Sequence, residues 1–175
     1  MPELDTPEQA LAYLAQISPN RRFRVTPFAM GWVCSPILGA EQNTLSKRVG
    51  LAKLVIDSTT GVVTQYPSWP ASRVAQTYTA ARRHGTPPAG RQIYPPRWRI
   101  TIQRTREDSA TIDYEMTAVS LTNPAELNQE HPLTINKRTY RHEPRDPLSN
   151  VAMSQAEWSS RQNRGTWPEY ATTEF

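Results

Sequence analysis

The sequence predicts an α+β protein: a small antiparallel sheet with helices on one face, then a second β-hairpin region, then an extended C-terminal arm. The first observation is a helical spacing of apolar residues near the N-terminus. The second is a series of short segments in which apolar and polar residues alternate between turn residues. The third is the loss of any sustained period from about Arg141 onward, which is typical of an extended or disordered segment.

The first helix is predicted to begin after Thr6. Thr6 is a favourable N-cap, Pro7 suits the first helical position, and Gln9 is placed to complete a capping box. Apolar residues then recur at helical spacing as far as Ile17, and Ser18-Pro19-Asn20 ends the helix.

Two short strands, 22–25 and 28–34, are predicted after this helix, with Gly31 as a bulge in the second strand. Residues 39–50 are predicted to form a polar loop. The strongest hairpin joins 51–57 to 62–66 through a turn in which Gly61 tolerates a positive φ. A helix capped by Ser72 and ending at Gly85 completes the first region.

Residues 86–90 are a predicted linker because they combine proline and glycine. Beyond them, 98–104 and 111–119 alternate and predict a second hairpin, and 133–136 is a weaker strand. The sequence therefore predicts a first α+β domain at 1–85, a β-rich extension at 90–140 and an extended or disordered arm at 141–175. Truncation near Pro144 is then expected to leave the rest of the fold intact but to remove partner binding or self-association.

The composition limits the class of protein. Cys34 is the only cysteine, which excludes an intramolecular disulfide and argues against a cysteine-based zinc site. The N-terminus lacks the pattern of a signal peptide, and no apolar run approaches the roughly 18 residues of a membrane span. The predicted location is the cytoplasm.

The sequence predicts no catalytic, cofactor-binding or metal-binding residues. His84, His131 and His142 do not have metal-ligand spacing, and Cys34 lies in an apolar strand pattern where it serves as a small buried side chain. Glycine-rich phosphate loops and hydrolase signatures are absent from the sequence. We therefore expect a protein that is not an enzyme and needs no cofactor.

Acidic residues near the second hairpin, including Asp113 and Glu115, invite a comparison with acid–base sites. Two carboxylates two residues apart on a strand share one face. The preferred interpretation is the wet face of a half-buried sheet, with Asp113 and Glu115 paired to Arg97, Arg99 and Arg104.

An arginine-rich interval lies between Asp57 and Glu107, where no acidic residue occurs. It contains eight arginines: Arg73, Arg82, Arg83, Arg91, Arg97, Arg99, Arg104 and Arg106. Such an interval is either a solvated face or a field that attracts acidic partners or nucleic acid.

Aromatic residues supply the candidate partner-binding side chains. Trp69, held in a turn between two prolines beside Arg73, has the composition of a protein–protein hot spot, although packing over the end of the hairpin explains it equally well. The predicted partner-binding residues are Trp69, Arg73, Trp98, Trp167, Tyr170 and Phe175.

The first 85 residues resemble the YrhB-like family, also called the immunity protein thirty-five family of bacterial polymorphic toxin systems. The resemblance rests on Tyr13-Leu14 ending the first helix, Gly31-Trp32 opening a strand, the run 54–57 with its Thr60-Gly61 turn, and a following helix with Tyr78. The usual Gly-Asn before the third strand is Gly50-Leu51 here. The resemblance implies an α+β protein that neutralises a toxin or acts as a chaperone.

Three functions follow, in order of preference. The first is an immunity or chaperone-like protein in a bacterial toxin or secretion system that occludes another protein sterically. The second is an assembly component, including a homo-oligomer, that uses the C-terminal arm for subunit contacts. The third is a nucleic-acid-binding module that uses the arginine-rich interval with Tyr94 and Trp98. No membrane partner is expected.

Overall fold

The computed structural model describes residues 2–39 and 51–175, so the loop predicted at 39–50 lies, apart from Gly39, outside the described residues. The chain divides into two compact units, Met1–Pro95 and Pro96–Phe175. Two five-stranded antiparallel sheets, one in each unit, confirm the α+β class. The domain boundaries predicted from the sequence remain predictions, since a compact unit is not by itself an independently folding one.

Unit 1 is built on a meander of strands in sequential order β1-β2-β3-β4-β5. Its elements are α1 (Pro7–Ile17), β1 (Arg22–Phe28), β2 (Gly31–Ile37), β3 (Lys53–Asp57), β4 (Val63–Tyr66), α2 (Ala71–His84) and β5 (Arg91–Tyr94). The predicted central hairpin is confirmed, with Ile56 opposite Val63 and Val55 opposite Thr64.

The start of α1 is also as predicted. The Gln9 backbone N–H donates to the Thr6 hydroxyl, and the Thr6 backbone N–H donates to the Gln9 side-chain oxygen at 3.0 Å. This reciprocal capping box satisfies two donors that a helix start would otherwise leave open.

The helices of unit 1 lie on opposite faces of the sheet, whereas the sequence predicted them on one face. Trp32 and Ile56 belong to the cluster that contains Leu14 of α1, while Val33 belongs to the cluster that contains Val74 of α2. The physical reason is that β2 and β3 are apolar without alternation, so both of their faces need cover.

Gly31 marks the tight connection between β1 and β2. It lies opposite Phe28, so Phe28 ends β1 instead of starting the next strand as predicted, and only two residues connect them. At Gly31 φ is 142°, and a Cβ there would collide with the backbone oxygen of Ile56. Glycine is therefore required for close strand approach, not for a bulge.

Unit 2 is a second antiparallel sheet with strand order β10-β6-β7-β8-β9. Its elements are β6 (Trp98–Glu107), β7 (Thr111–Ser120), β8 (Gln129–Asn136), β9 (His142–Glu143), α3 (Pro147–Gln162) and β10 (Tyr170–Glu174). The predicted second hairpin is confirmed as β6–β7. Ile100, Tyr114 and Leu133 point to one face, where α3 packs.

The structure contradicts the prediction of an extended or disordered arm at residues 141–175. Asp146 caps α3 by accepting from the Leu148 and Ser149 backbone N–H groups, and Leu148 and Ala152 are buried in the core of unit 2. The sequence hides this helix because its buried stripe is made largely of alanine and serine, which give little hydrophobic periodicity. The structure therefore predicts that truncation near Pro144 disrupts unit 2, contrary to the expectation from the sequence.

Candidate partner-binding surface

Four of the six predicted partner-binding residues lie in unit 2, and two of these are core residues. Trp98 and Trp167 are only 8% and 6% exposed and belong to the unit 2 core. Phe175 is half-buried, packs against the same core and bonds to the Trp98 backbone at 2.9 Å. Tyr170, which is 62% exposed on β10, is the one of these four with a free aromatic surface.

Trp69 and Arg73 are brought together in unit 1. The Arg73 guanidinium lies 4.2 Å from the centre of the Trp69 ring, and the Tyr66 ring is 6.1 Å away on the sheet. Trp69 is half-buried and packs against the cluster under α2, so both interpretations of this residue have a physical basis. A cation over an indole face holds the ring in one orientation.

Asp57 fixes α2 relative to the β3–β4 turn. It is 2% exposed, and its carboxylate accepts the Tyr78 hydroxyl at 2.7 Å and the Thr59 and Thr60 backbone N–H groups at 3.0 and 2.9 Å. The Arg82 Nε atom lies 3.5 Å from the same carboxylate. Sequence reasoning identified the turn but missed this link, although Asp57 and Tyr78 were both part of the family resemblance.

The pKa of Asp57 reflects two opposing causes. Burial raises it, but the hydrogen bonds from Tyr78, Thr60 and Thr59 outweigh burial and lower the pKa of this carboxyl below its ordinary value. The charged form is therefore the one that holds α2 in place. Burial, followed by the neighbouring Asp57, raises the pKa of the Tyr78 hydroxyl, so it stays a donor.

A groove lies beside α2 on the same side of the sheet. Its described walls include Arg24 and Thr26 of β1, Ser35 of β2 and Lys53 of β3. Ala71, the first residue of α2, borders the groove and lies two residues from both Trp69 and Arg73. Trp69 and Ala71 pack against the same buried cluster, so the Trp69–Arg73 pair and this groove lie on the same face of the sheet, which we call the α2 side of unit 1.

The arginine-rich interval does not form one basic face. In unit 2, Arg99 pairs with Glu174 at 2.9 Å, Arg104 pairs with both Glu107 and Glu169, and Arg97 and Arg106 also have carboxylate partners. The sequence predicted that these arginines pair with Asp113 and Glu115. For Asp113 this prediction is wrong. Its carboxylate instead accepts a hydrogen bond from the Thr134 hydroxyl at 2.7 Å.

Trp158 is an exposed aromatic that sequence reasoning did not select. It is 59% exposed on α3, two residues beyond the buried Ala156 and therefore on the opposite side of the helix. The exposure of Trp158 can be predicted only once residues 147–162 are recognised as helical. Because the sequence analysis missed this helix, it also missed Trp158 as a candidate binding residue.

The residues that commonly hold metals or perform nucleophilic chemistry form no such site in the described part of the chain. No group of three or more His, Cys, Asp or Glu side chains suited to a metal is found among residues 2–39 and 51–175. Cys34 is fully buried, and burial raises the pKa of its thiol to about 12, which keeps it protonated. Among these residues no helix has the length and apolar character needed to cross a membrane.

Comparison with known proteins gives a family match for part of unit 1. No curated protein and no solved structure matches the chain. A family model does match, over α1 to α2, which includes the Asp57–Tyr78 link and the Trp69–Arg73 pair. The resemblance predicted from the sequence is thereby confirmed for this part of the chain: residues 6–86 match the immunity protein 35-like domain.

Proposed function

We propose that this protein is a non-enzymatic immunity protein that binds a toxin in the bacterial cytoplasm through the α2 side of unit 1. An immunity protein 35-like domain suggests a protein-binding role in toxin immunity. The observation that carries the finer proposal is the Trp69 ring held in place by Arg73 at the start of α2. Such a pair is a preorganised anchor, and hot spots are enriched in tryptophan and arginine.

The mechanism is steric occlusion and needs no catalytic group. An interface of roughly 800 Å² per partner, centred on the half-buried Trp69, has the standard size of a specific protein–protein complex. The Asp57–Tyr78 link supports this by fixing α2, because an anchor on a rigid element loses less conformational entropy when it binds.

The alternatives have weaker support. An assembly role was inferred from a disordered arm, but that segment contributes Leu148 and Trp167 to the unit 2 core and leaves Tyr170 as its exposed anchor. A nucleic-acid role relied on the arginine-rich interval. The arginines of this interval that lie in unit 2 pair with carboxylates, which reduces the positive charge available to phosphates. A chaperone-like role on the same α2 side differs from immunity only in the partner.

The first step of the test is to search the neighbouring genes for one that encodes a toxin domain, and the second is to co-express that domain with this protein. Trp69→Ala is expected to abolish protection and to weaken binding by about 2 kcal/mol or more, because a central hot-spot side chain is removed. Trp158→Ala, at an exposed tryptophan of unit 2, is the matched control and should protect as well as wild type.

Folding must be checked in the same series, since Trp69 also contacts the core under α2. Trp69→Phe keeps an aromatic ring there, so a partial loss of binding with an unchanged melting temperature supports an anchor role. Full protection by a folded Trp69→Ala variant would show that the binding surface lies elsewhere.

A further inference from the structure

The charge of the chain is concentrated in unit 1. Residues 1–95 contain ten Lys and Arg against five Asp and Glu, whereas residues 96–175 contain ten against eleven. Three of the five acidic residues of unit 1 (Glu3, Asp5 and Glu8) flank the start of α1, and a fourth, Asp57, is buried. The net charge of unit 1 is thus +5, and its exposed described carboxylates are gathered at one end of one helix.

The described residues of the α2 side include Arg and Lys side chains and no exposed carboxylate. Strand alternation places Arg24 and Lys53 on the side of the sheet that α2 covers, opposite to Cys34 and Leu54. Arg73 lies over the Trp69 ring, which packs against the cluster under α2. Arg24 and Lys53 both border the groove.

The remaining groove wall is suited to a protein partner. Ile37 is 50% exposed there and Leu51 lies beside it, while Thr26 and Ser35 contribute hydroxyl donors. An aliphatic centre with a charged rim is the usual anatomy of a protein interface. Single-stranded nucleic acid instead stacks successive bases on aromatic faces. The described groove residues include no aromatic side chain, and the Trp69 ring nearby has the Arg73 guanidinium over it.

We propose that the α2 side is selective for an acidic protein surface, one that places carboxylates against Arg24 and Lys53 and an apolar side chain against Ile37. This inference rests on the proposed function and specifies the chemistry of the partner. Residues 40–50 carry Glu41 against Lys47 and Arg48, so the sequence between the described segments does not reverse the charge of the unit.

The experiment uses the full chain and a fluorescently labelled poly-L-glutamate peptide, with binding followed by anisotropy at low salt. Lys53→Glu is expected to weaken binding about tenfold, because one attraction is lost and one repulsion is gained. Arg91→Glu changes the net charge equally on β5, the edge strand farthest from β1, and should weaken binding less than about twofold because Arg91 does not line the groove. Lys53→Arg should bind as wild type does.

Three results would overturn the proposal: no binding of the peptide at low salt, equal losses for Lys53→Glu and Arg91→Glu, or tighter binding of an oligothymidylate than of poly-L-glutamate. The last result would identify a nucleic-acid surface instead.

These outcomes are separable from the toxin experiment. If Trp69→Ala loses protection while Lys53→Glu behaves like Arg91→Glu, the immunity role stands and the acidic-partner proposal fails. If Lys53→Glu alone loses peptide binding while Trp69→Ala still protects, the surface is selective for acidic polypeptides but is not the immunity interface.

Discussion

The two units contain the same number of Lys and Arg residues, ten each, but use them in opposite ways. In unit 2, cations and carboxylates from distant parts of the chain meet, as Arg99 and Glu174 do at 2.9 Å and Lys137 and Glu107 at 3.0 Å. In unit 1, the described cations of the α2 side have no exposed carboxylate beside them. The Asp57 carboxylate is buried and accepts a hydrogen bond from the Tyr78 hydroxyl. Pairing in three dimensions, not the density of arginine along the sequence, decides whether a surface is basic.

The units also differ in how their sheets are covered. Helices lie on both faces of the unit 1 sheet, while α3 covers one face of the unit 2 sheet. This difference explains the composition of the strands. Lys53–Asp57 is nearly continuous in burial, whereas Thr111–Ser120 alternates between buried and partly exposed residues.

The largest expected effect comes from ending the chain after Pro144. Unit 2 should lose its cooperative unfolding transition, because α3 supplies Leu148, Ala152 and Ala156 to its core. The core clusters of unit 1 contain no residue from this segment, so its amide signals should persist in a two-dimensional NMR spectrum. Trp158→Ala, on the exposed side of α3, should leave the melting of unit 2 unchanged. A truncated chain that melts like the full one would mean that α3 contributes nothing to unit 2.

Ile56→Ala is expected to destabilise unit 1 by about 2–5 kcal/mol, since Ile56 is fully buried beneath α1 and a cavity would remain. Chemical denaturation measures the free energy of unfolding. Ile37→Ala removes the same atoms from a half-exposed position on the adjacent strand and should cost less than about 1 kcal/mol. Equal losses at the two positions would contradict the assignment of Ile56 to the core.

Acid should weaken unit 1 through Asp57. Its pKa is lowered by folding, so its stabilising effect is complete above the unfolded pKa of about 3.9 and is lost as the pH falls through the folded value. Asp57→Asn should flatten this part of the stability–pH profile. Tyr78→Phe should cost about 1–3 kcal/mol at neutral pH, because the buried carboxylate loses a donor.

The matched control for the last variant is Tyr94→Phe, at a partly exposed ring that meets Tyr13 on the α1 side. It should change stability by less than about 0.5 kcal/mol. An acid profile that Asp57→Asn leaves unaltered would assign the acid sensitivity to other carboxyl groups.

Local signals in the sequence predicted local structure well. The capping box at Thr6 and the hairpins at 51–66 and 98–119 depend on residues close in sequence, and each is found.

The helix at 147–162 was missed because alanine and serine line its buried side. The partners of Arg99 and Arg104 were missed because Glu174 and Glu169 lie far along the chain, and no periodicity encodes such a contact. The candidate surface was therefore only partly predictable. Trp69 and Arg73 are close along the chain, but Arg24 and Lys53 are brought to the same groove by the sheet.

Cys34 gives unit 1 a built-in chemical reporter. Its thiol is the only one in the chain, it is fully buried on β2, and its raised pKa of about 12 keeps it unreactive while the strand is paired. A thiol reagent therefore modifies only those molecules in which the sheet has opened around β2. The labelling rate counts these openings, and unit 2, which has no thiol, contributes nothing to the signal. A partner that binds only the folded unit 1 should slow the labelling by a factor set by its concentration relative to its Kd, so one reagent can test the proposed binding to the α2 side.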